Sequence, residues 1–90
     1  MNINVDKIRE IYGIDVLNLV RDNIKDIIKN IRYLEQLGFD DVEDIFERYT
    51  LIFIDEPVYF KEKINKLINK LGLNYVELIE NDLGLLDELG

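Results

Sequence analysis

The chain contains no cysteine, histidine, tryptophan, alanine or serine, and it has one proline, one threonine and one methionine. Each absence excludes something. Without cysteine there are no disulfides and no thiolate metal site. Without histidine, cysteine and serine there is no Ser-His or Cys-His nucleophilic pair and no imidazole base. Thr50 is the only hydroxyl besides the tyrosines, and it lies in an apolar run. Long apolar runs are missing as well. The longest, Tyr49 to Ile54, is six residues, against the roughly 20 needed to span a membrane. The stretch from Met1 to Ile11 carries alternating charges where a secretion signal would need an apolar core. These features lead us to expect a cytoplasmic, non-membrane, non-catalytic protein without metal or cofactor. Carboxylates alone could still act as acid and base or hold Mg²⁺. Those from Asp40 to Glu47 lack the alternating spacing around a glycine that a calcium loop requires.

What remains is isoleucine, leucine, asparagine, lysine and aspartate. Ninety residues fit one domain, and 48% apolar content supplies one compact core. A chain this short buries only about 60% of its unfolded surface, so a net stability of roughly 5–10 kcal/mol is expected. Charged content of 33% with regular apolar spacing argues against disorder.

The spacing predicts an all-α fold, a small bundle or short array of about five helices forming a single domain over residues 1–90. Ile8, Ile11 and Tyr12 give a short helix over residues 5–12, capped by Asn4 and ended by Gly13. After a cap at Asp15, Leu17, Val20, Ile24, Ile27, Ile31 and Leu34 recur at alternating steps of three and four, which predicts one long helix over 16–37 closed by Gly38. Were this seam left uncovered, it would make a homodimer; covered, it leaves a monomer. Asp40 is placed to cap the next helix, with Glu43 three residues on. Tyr49 to Ile54 has strand propensity but no partner strand, so it is read as helical or irregular. Pro57 opens a helix ended by Gly72. Asn74 caps the last one, which Gly84 breaks; Leu85, Leu86 and Leu89 then belong to a short terminal turn or helix within the unpaired tail at Leu85–Gly90. The expected core is Val20, Ile24, Ile27, Ile31, Leu34, Ile45, Phe46, Phe53, Ile64, Leu67, Ile68, Leu71, Val76 and Ile79.

A motif recurs at an offset of 34 residues. Leu37-Gly38-Phe39-Asp40-Asp41-Val42-Glu43-Asp44-Ile45 matches Leu71-Gly72-Leu73-Asn74-Tyr75-Val76-Glu77-Leu78-Ile79, with a looser copy at Tyr12-Gly13-Ile14-Asp15-Val16. Glycine ends one helix, the next apolar residue packs back on it, and Asp or Asn starts another. The period suggests stacked helical hairpins, with units over 38–71 and an incomplete 72–90. Any glycine-terminated helix followed by a capped one gives a similar pattern. Leu37-Gly38, the Val42/Ile45 stripe, Leu51-Ile52 and Leu71-Gly72 together resemble repeats of the mitochondrial transcription termination factor family, over about residues 34–86. That family usually has proline before the leucine pair, where this chain has Thr50 and, in the second unit, Gly84. The resemblance implies two helices and a short helical turn per unit, and nucleic-acid binding along a curved basic surface. The tetratricopeptide family shares the period, but its tryptophan, alanine and proline positions are not filled.

Charge is uneven. Nineteen acids against eleven bases give a net −8. Residues 1–37 balance at six each; 38–56 hold seven acids and one base; 57–72 hold four lysines and one glutamate; 73–90 hold five acids and no base. Two candidate surfaces follow. Asp40, Asp41, Asp44 and Glu47 form an acidic face for a partner protein, or simply the solvated acidic first turn that a helix dipole favours. Lys63, Lys66 and Lys70 share a helical face that would meet a phosphate backbone or a partner, or else pair with neighbouring carboxylates, as Glu62 and Lys66 can at i, i+4. The leading expectation is a protein-interaction module with an acidic surface. The alternatives are a nucleic-acid-associated helical repeat, which the net charge opposes, and a small acidic inhibitor or nucleic-acid mimic of the kind mobile elements encode, anchored by Tyr49, Tyr59 and Tyr75.

Overall fold

The computed structural model describes residues 4–89. Gly90, the end of the expected tail, lies outside the described residues. Among them the chain forms six α-helices and two 3-10 helices and no strand: α1 (Val5–Tyr12), α2 (Ile14–Asp22), α3 (Ile24–Leu37), α4 (Val42–Arg48), η1 (Thr50–Phe53), α5 (Pro57–Leu71), α6 (Tyr75–Asn81) and η2 (Leu83–Leu89). The all-α class holds; the count of about five helices does not. The radius of gyration is 12.7 Å, close to the roughly 12 Å of a compact chain of this length. No helix is long and apolar enough to cross a membrane.

Helix α1 has the expected bounds. The Asn4 side chain accepts from the Lys7 N–H, and the Gly13 N–H closes the helix on the Arg9 carbonyl. The long helix expected over 16–37 is broken at Asn23. There the backbone leaves helical geometry (φ −115°, ψ 20°), and both the Asn23 N–H and Nδ2 donate to the Leu19 carbonyl. An asparagine side chain that competes for backbone partners can end a helix, and the apolar pattern gives no sign of it because its phase runs through unchanged. Asp15 sits in the first turn of α2 instead of capping it; Gly13 holds that position.

The seam survives the break. Leu17, Val20, Ile27, Ile31 and Leu34 are all buried by the chain itself, so the uncovered stripe that a dimer through this seam requires is not present. Helix α3 packs on α4, η1 and α5. Its contacts ascend together with those of α5. Asn30 reaches the carbonyls of Phe53 and Asp55, Tyr33 reaches Asn65, and the Leu37 carbonyl faces Tyr75. The two helices therefore run in the same direction, and α4 and η1 make the return between them.

Phe46, Phe53 and Phe60 form the centre of the core. The first two meet edge to face at 5.4 Å, the second and third at 5.2 Å, in the separation range that aromatic pairs favour. They tie α4, η1 and α5 together. Thr50 is buried and donates to the Phe46 carbonyl at 2.8 Å, satisfying a helix end. Asn30 is also buried, and its amide holds both carbonyls at the exit of η1, at 3.0 and 2.9 Å. The strand-prone run over 50–53 is thus a 3-10 turn. Ten of the fourteen expected core residues are buried; Ile24, Ile68, Leu71 and Val76 are half-buried at its margin. The expected short terminal turn or helix is η2, in which Leu86 and Leu89 are buried, so this segment packs on the core. The break before them falls at Asp82, with Gly84 inside η2.

The two sequence-matched turns differ. At Gly38 the backbone is left-handed (φ 105°, ψ 9°), and the N–H groups of Gly38 and Phe39 reach back to the carbonyls of Glu35 and Leu34. This is a Schellman turn, which folds the next apolar residue onto the helix, and Phe39 is 6% exposed. At Gly72 φ is 86° but ψ is −160°, the chain runs outward, and Leu73 is fully exposed. Gly13 shares the Gly72 geometry, so the loose copy and the second copy resemble each other more than either resembles the first. The starts of α4 and α6 lie 33 residues apart, not 34, because the first turn takes one extra residue. That residue moves the cap from Asp40 to Asp41, whose side chain accepts from the Asp44 N–H at 3.3 Å.

Candidate interaction surfaces

The four acidic candidates have separate roles. Asp41 is the cap just described. Asp44 pairs with Arg48 one turn on, at 3.2 Å. Glu47 pairs with Lys7 of α1 at 2.8 Å, and this hydrogen-bonded carboxylate holds Lys7 above the ordinary lysine value. Asp40 and Asp41 are both exposed and outside any ion pair among the described residues, and Asp40 has no capping role.

Asp40 has other company. It lines a shallow depression with Gly38, Leu73, Asn74, Val76, Glu77, Glu80 and Asn81. This depression lies where the chain leaves α3 and α5, between the two glycine turns. No cation lines it. Three carboxylates thus line the same depression as a fully exposed leucine. Charge counting places Glu77 and Glu80 in the acidic C-terminal segment, but their meeting with Asp40 depends on α3 and α5 ending side by side.

The basic candidates are brought together and then mostly neutralised. Lys63, Lys66 and Lys70 line one depression with Leu67, Glu88 and Leu89. Lys63 pairs with Asp55 at 2.7 Å and Lys70 with Glu88 at 2.8 Å. Lys66 makes no ion pair among the described residues, and the Glu62–Lys66 pair allowed by spacing does not form. The partners come from the turn before α5 and from η2.

A second basic surface was legible as spacing but averaged away in the balanced count for residues 1–37. Lys25, Lys29, Arg32 and Gln36 are exposed on α3 at steps of four, three and four. At 100° per residue this places them opposite the buried Ile27, Asn30, Ile31 and Leu34. Lys61 of α5 lies across from them, its ammonium 5.2 Å from the centre of the Tyr33 ring, within cation–π range. Tyr33 donates its hydroxyl to Asn65 at 2.9 Å. Lys29, Arg32, Tyr33, Gln36, Pro57 and Lys61 line one groove.

A third depression is apolar, formed by Tyr12, Tyr49, Leu51, Ile52 and Leu86 between Arg48 and Asp87. Tyr12 donates to the Arg48 carbonyl at 2.7 Å. Burial, then the Asp87 and Asp82 carboxylates, push the Tyr49 phenol above its ordinary value. Of the three tyrosines read as anchors, only Tyr59 is exposed; Tyr49 and Tyr75 are half-buried. Among the described residues, no three acidic, histidine or cysteine side chains are grouped to hold a metal ion.

No protein-family model, curated protein or solved structure matches the chain.

Proposed function

We propose that the protein is a non-catalytic cytoplasmic interaction module that docks a basic, apolar-tipped segment of a partner protein in the depression around Leu73. The observation that carries this reading is that Asp40, Glu77 and Glu80 line one depression with a fully exposed leucine, with no cation among the lining residues. Burying a leucine side chain gives about 1.5–3 kcal/mol. An exposed ion pair at the rim adds about 0.2–1 kcal/mol. Against the cost of association this supports a transient contact, not an obligate one. Titration of the isotope-labelled protein with a short peptide bearing one leucine between lysines tests it. Shifts centred on Asp40, Leu73, Glu77 and Glu80, lost in Glu77→Lys/Glu80→Lys, are expected. No shifts there at low salt would end this reading.

One observation favours a second reading. A short helix, a 3-10 turn and a longer helix follow one another as α4, η1 and α5, and the order restarts as α6 and η2. That order of elements is similar to the unit implied by the resemblance to transcription termination factor repeats, and on that reading the chain contacts nucleic acid. Lys63 and Lys70 are already paired with carboxylates, so the lysine face of α5 gives it little support. Labelled duplex DNA and RNA titrated at low salt decide it. Binding weakened by Lys63→Glu/Lys66→Glu/Lys70→Glu would favour it, and no binding would remove it.

A further inference from the structure

The groove between α3 and α5 is the chemical inverse of the acidic depression. It is lined by the half-buried Tyr33 and Pro57, by Gln36, and by the cations Lys29, Arg32 and Lys61, the last with its ammonium 5.2 Å from the centre of the Tyr33 ring. None of these cations makes an ion pair among the described residues, although Lys7, Arg48, Lys63 and Lys70 all do. The depression offers an exposed apolar side chain, Leu73, together with three carboxylates. The two surfaces cannot meet within one chain. One lies along the outer side of α3 and the start of α5, the other beyond the C-terminal ends of both helices.

We propose that the chain associates head to tail with a second copy, Leu73 of one seating on Tyr33 and Pro57 of the next while Asp40, Glu77 and Glu80 meet Lys29, Arg32 and Lys61. This rests on the reading of the Leu73 depression as a docking surface, and it names the partner. The contact joins two different patches, so every complex keeps one of each free at its ends, and association propagates as chains that stay open or close into rings according to the rotation between copies. It does not use the Leu17–Leu34 seam, which is buried. A phosphate backbone fits the groove less well. It leaves the apolar surface of Pro57 unused, and a net charge of −8 repels a polyanion as a whole. The same net charge sets the salt dependence of self-association. At low salt two −8 chains repel. Near about 0.15 M the Debye length falls to about 8 Å, which screens remote charges while contacting pairs persist. Higher salt then weakens the pairs too.

Sedimentation of the full chain across a salt series, up to about millimolar protein, the range of a weak contact, tests the proposal. A mean mass that rises with concentration and peaks at intermediate salt is expected. Glu77→Lys/Glu80→Lys alone and Lys29→Glu/Arg32→Glu alone should each be monomeric, with unchanged helical circular dichroism. Mixing the two variants should restore association, because each reversed surface then meets its opposite. A chain that stays monomeric at every salt, or variants that associate as the parent does, would overturn the proposal. If the lysine–leucine peptide still binds the depression of that monomer, only the self-association fails; if it does not bind, the docking reading fails with it. Duplex DNA bound by a monomeric chain and released by Lys29→Glu/Arg32→Glu would assign the groove to nucleic acid and overturn the proposal as well.

Discussion

The turn at Gly38 and the turn at Gly72 begin from nearly the same residues and end in opposite places. The first has one more residue before its helix, a left-handed glycine, a side-chain cap at Asp41 and a buried phenylalanine. The second goes directly into α6 from an extended glycine, with no side-chain cap at Asn74 and a bare leucine. The first turn contributes to the core, and the second presents its apolar residue to solvent. The two turns differ by one residue of linker and in the ψ of the glycine, 9° against −160°, and with them in whether the next side chain is buried or exposed.

The largest test of this contrast is truncation of the two apolar residues. Phe39→Ala should cost about 3–5 kcal/mol in urea unfolding. Leu73→Ala should stay within about 0.5 kcal/mol of the parent. Equal losses would mean that the turns are equivalent after all.

The glycines come next. An added Cβ meets nothing within 4 Å at either position, so the cost is backbone conformation alone. Gly72 holds a geometry that is almost confined to glycine, and Gly72→Ala should cost about 2–3 kcal/mol. Gly38→Ala should cost about 1–2 kcal/mol. Gly38→Asn should cost less still, since asparagine tolerates the left-handed region, whereas Gly72→Asn should gain no such relief. Thermal melts of the four variants rank them.

The caps give a smaller difference. Asp41→Ala removes a hydrogen bond and leaves a left-handed alanine (φ 46° in the parent), for about 1–2 kcal/mol. Asn74→Ala removes no side-chain bond and should cost only a few tenths of a kcal/mol.

The smallest effect is at alkaline pH. Tyr49 ends α4 and is pushed upward by burial and by Asp87 and Asp82, acids from the C-terminal segment. A phenol whose folded value lies above the unfolded 10.0 keeps its full contribution below pH 10.0 and loses it as pH rises through the folded value. Lys7, raised by Glu47, loses its exposed ion pair in the same direction. Tyr49→Phe should therefore flatten the loss of stability above pH 10.0, and Asp87→Asn should flatten it partly. Parallel pH profiles for parent and Tyr49→Phe would remove Tyr49 from the account.

Much of this was legible without coordinates. The bounds of α1, the start of α5 at Pro57, its end at Gly72 and most of the core follow from caps, glycines and apolar steps of three and four. All of these are signals between near neighbours. The break at Asn23 escaped because a side-chain hydrogen bond can stop a helix without disturbing its apolar phase. The shift of the cap from Asp40 to Asp41 escaped because a sequence match aligns letters, while the turn counts residues.

The sequence by itself determined a helical chain, where most of its helices end, and a strongly acidic balance. Those properties depend on backbone hydrogen bonds and side-chain neighbours within a turn or two. Only the tertiary structure decided which charges are free. Lys70 meets Glu88 across 18 residues and Lys7 meets Glu47 across 40, leaving Lys29, Arg32 and Lys61 unpaired on one side and Asp40, Glu77 and Glu80 in one depression with Leu73 on the other. Ion pairing and exposure depend on where distant segments come to rest, and helical spacing carries no information about that.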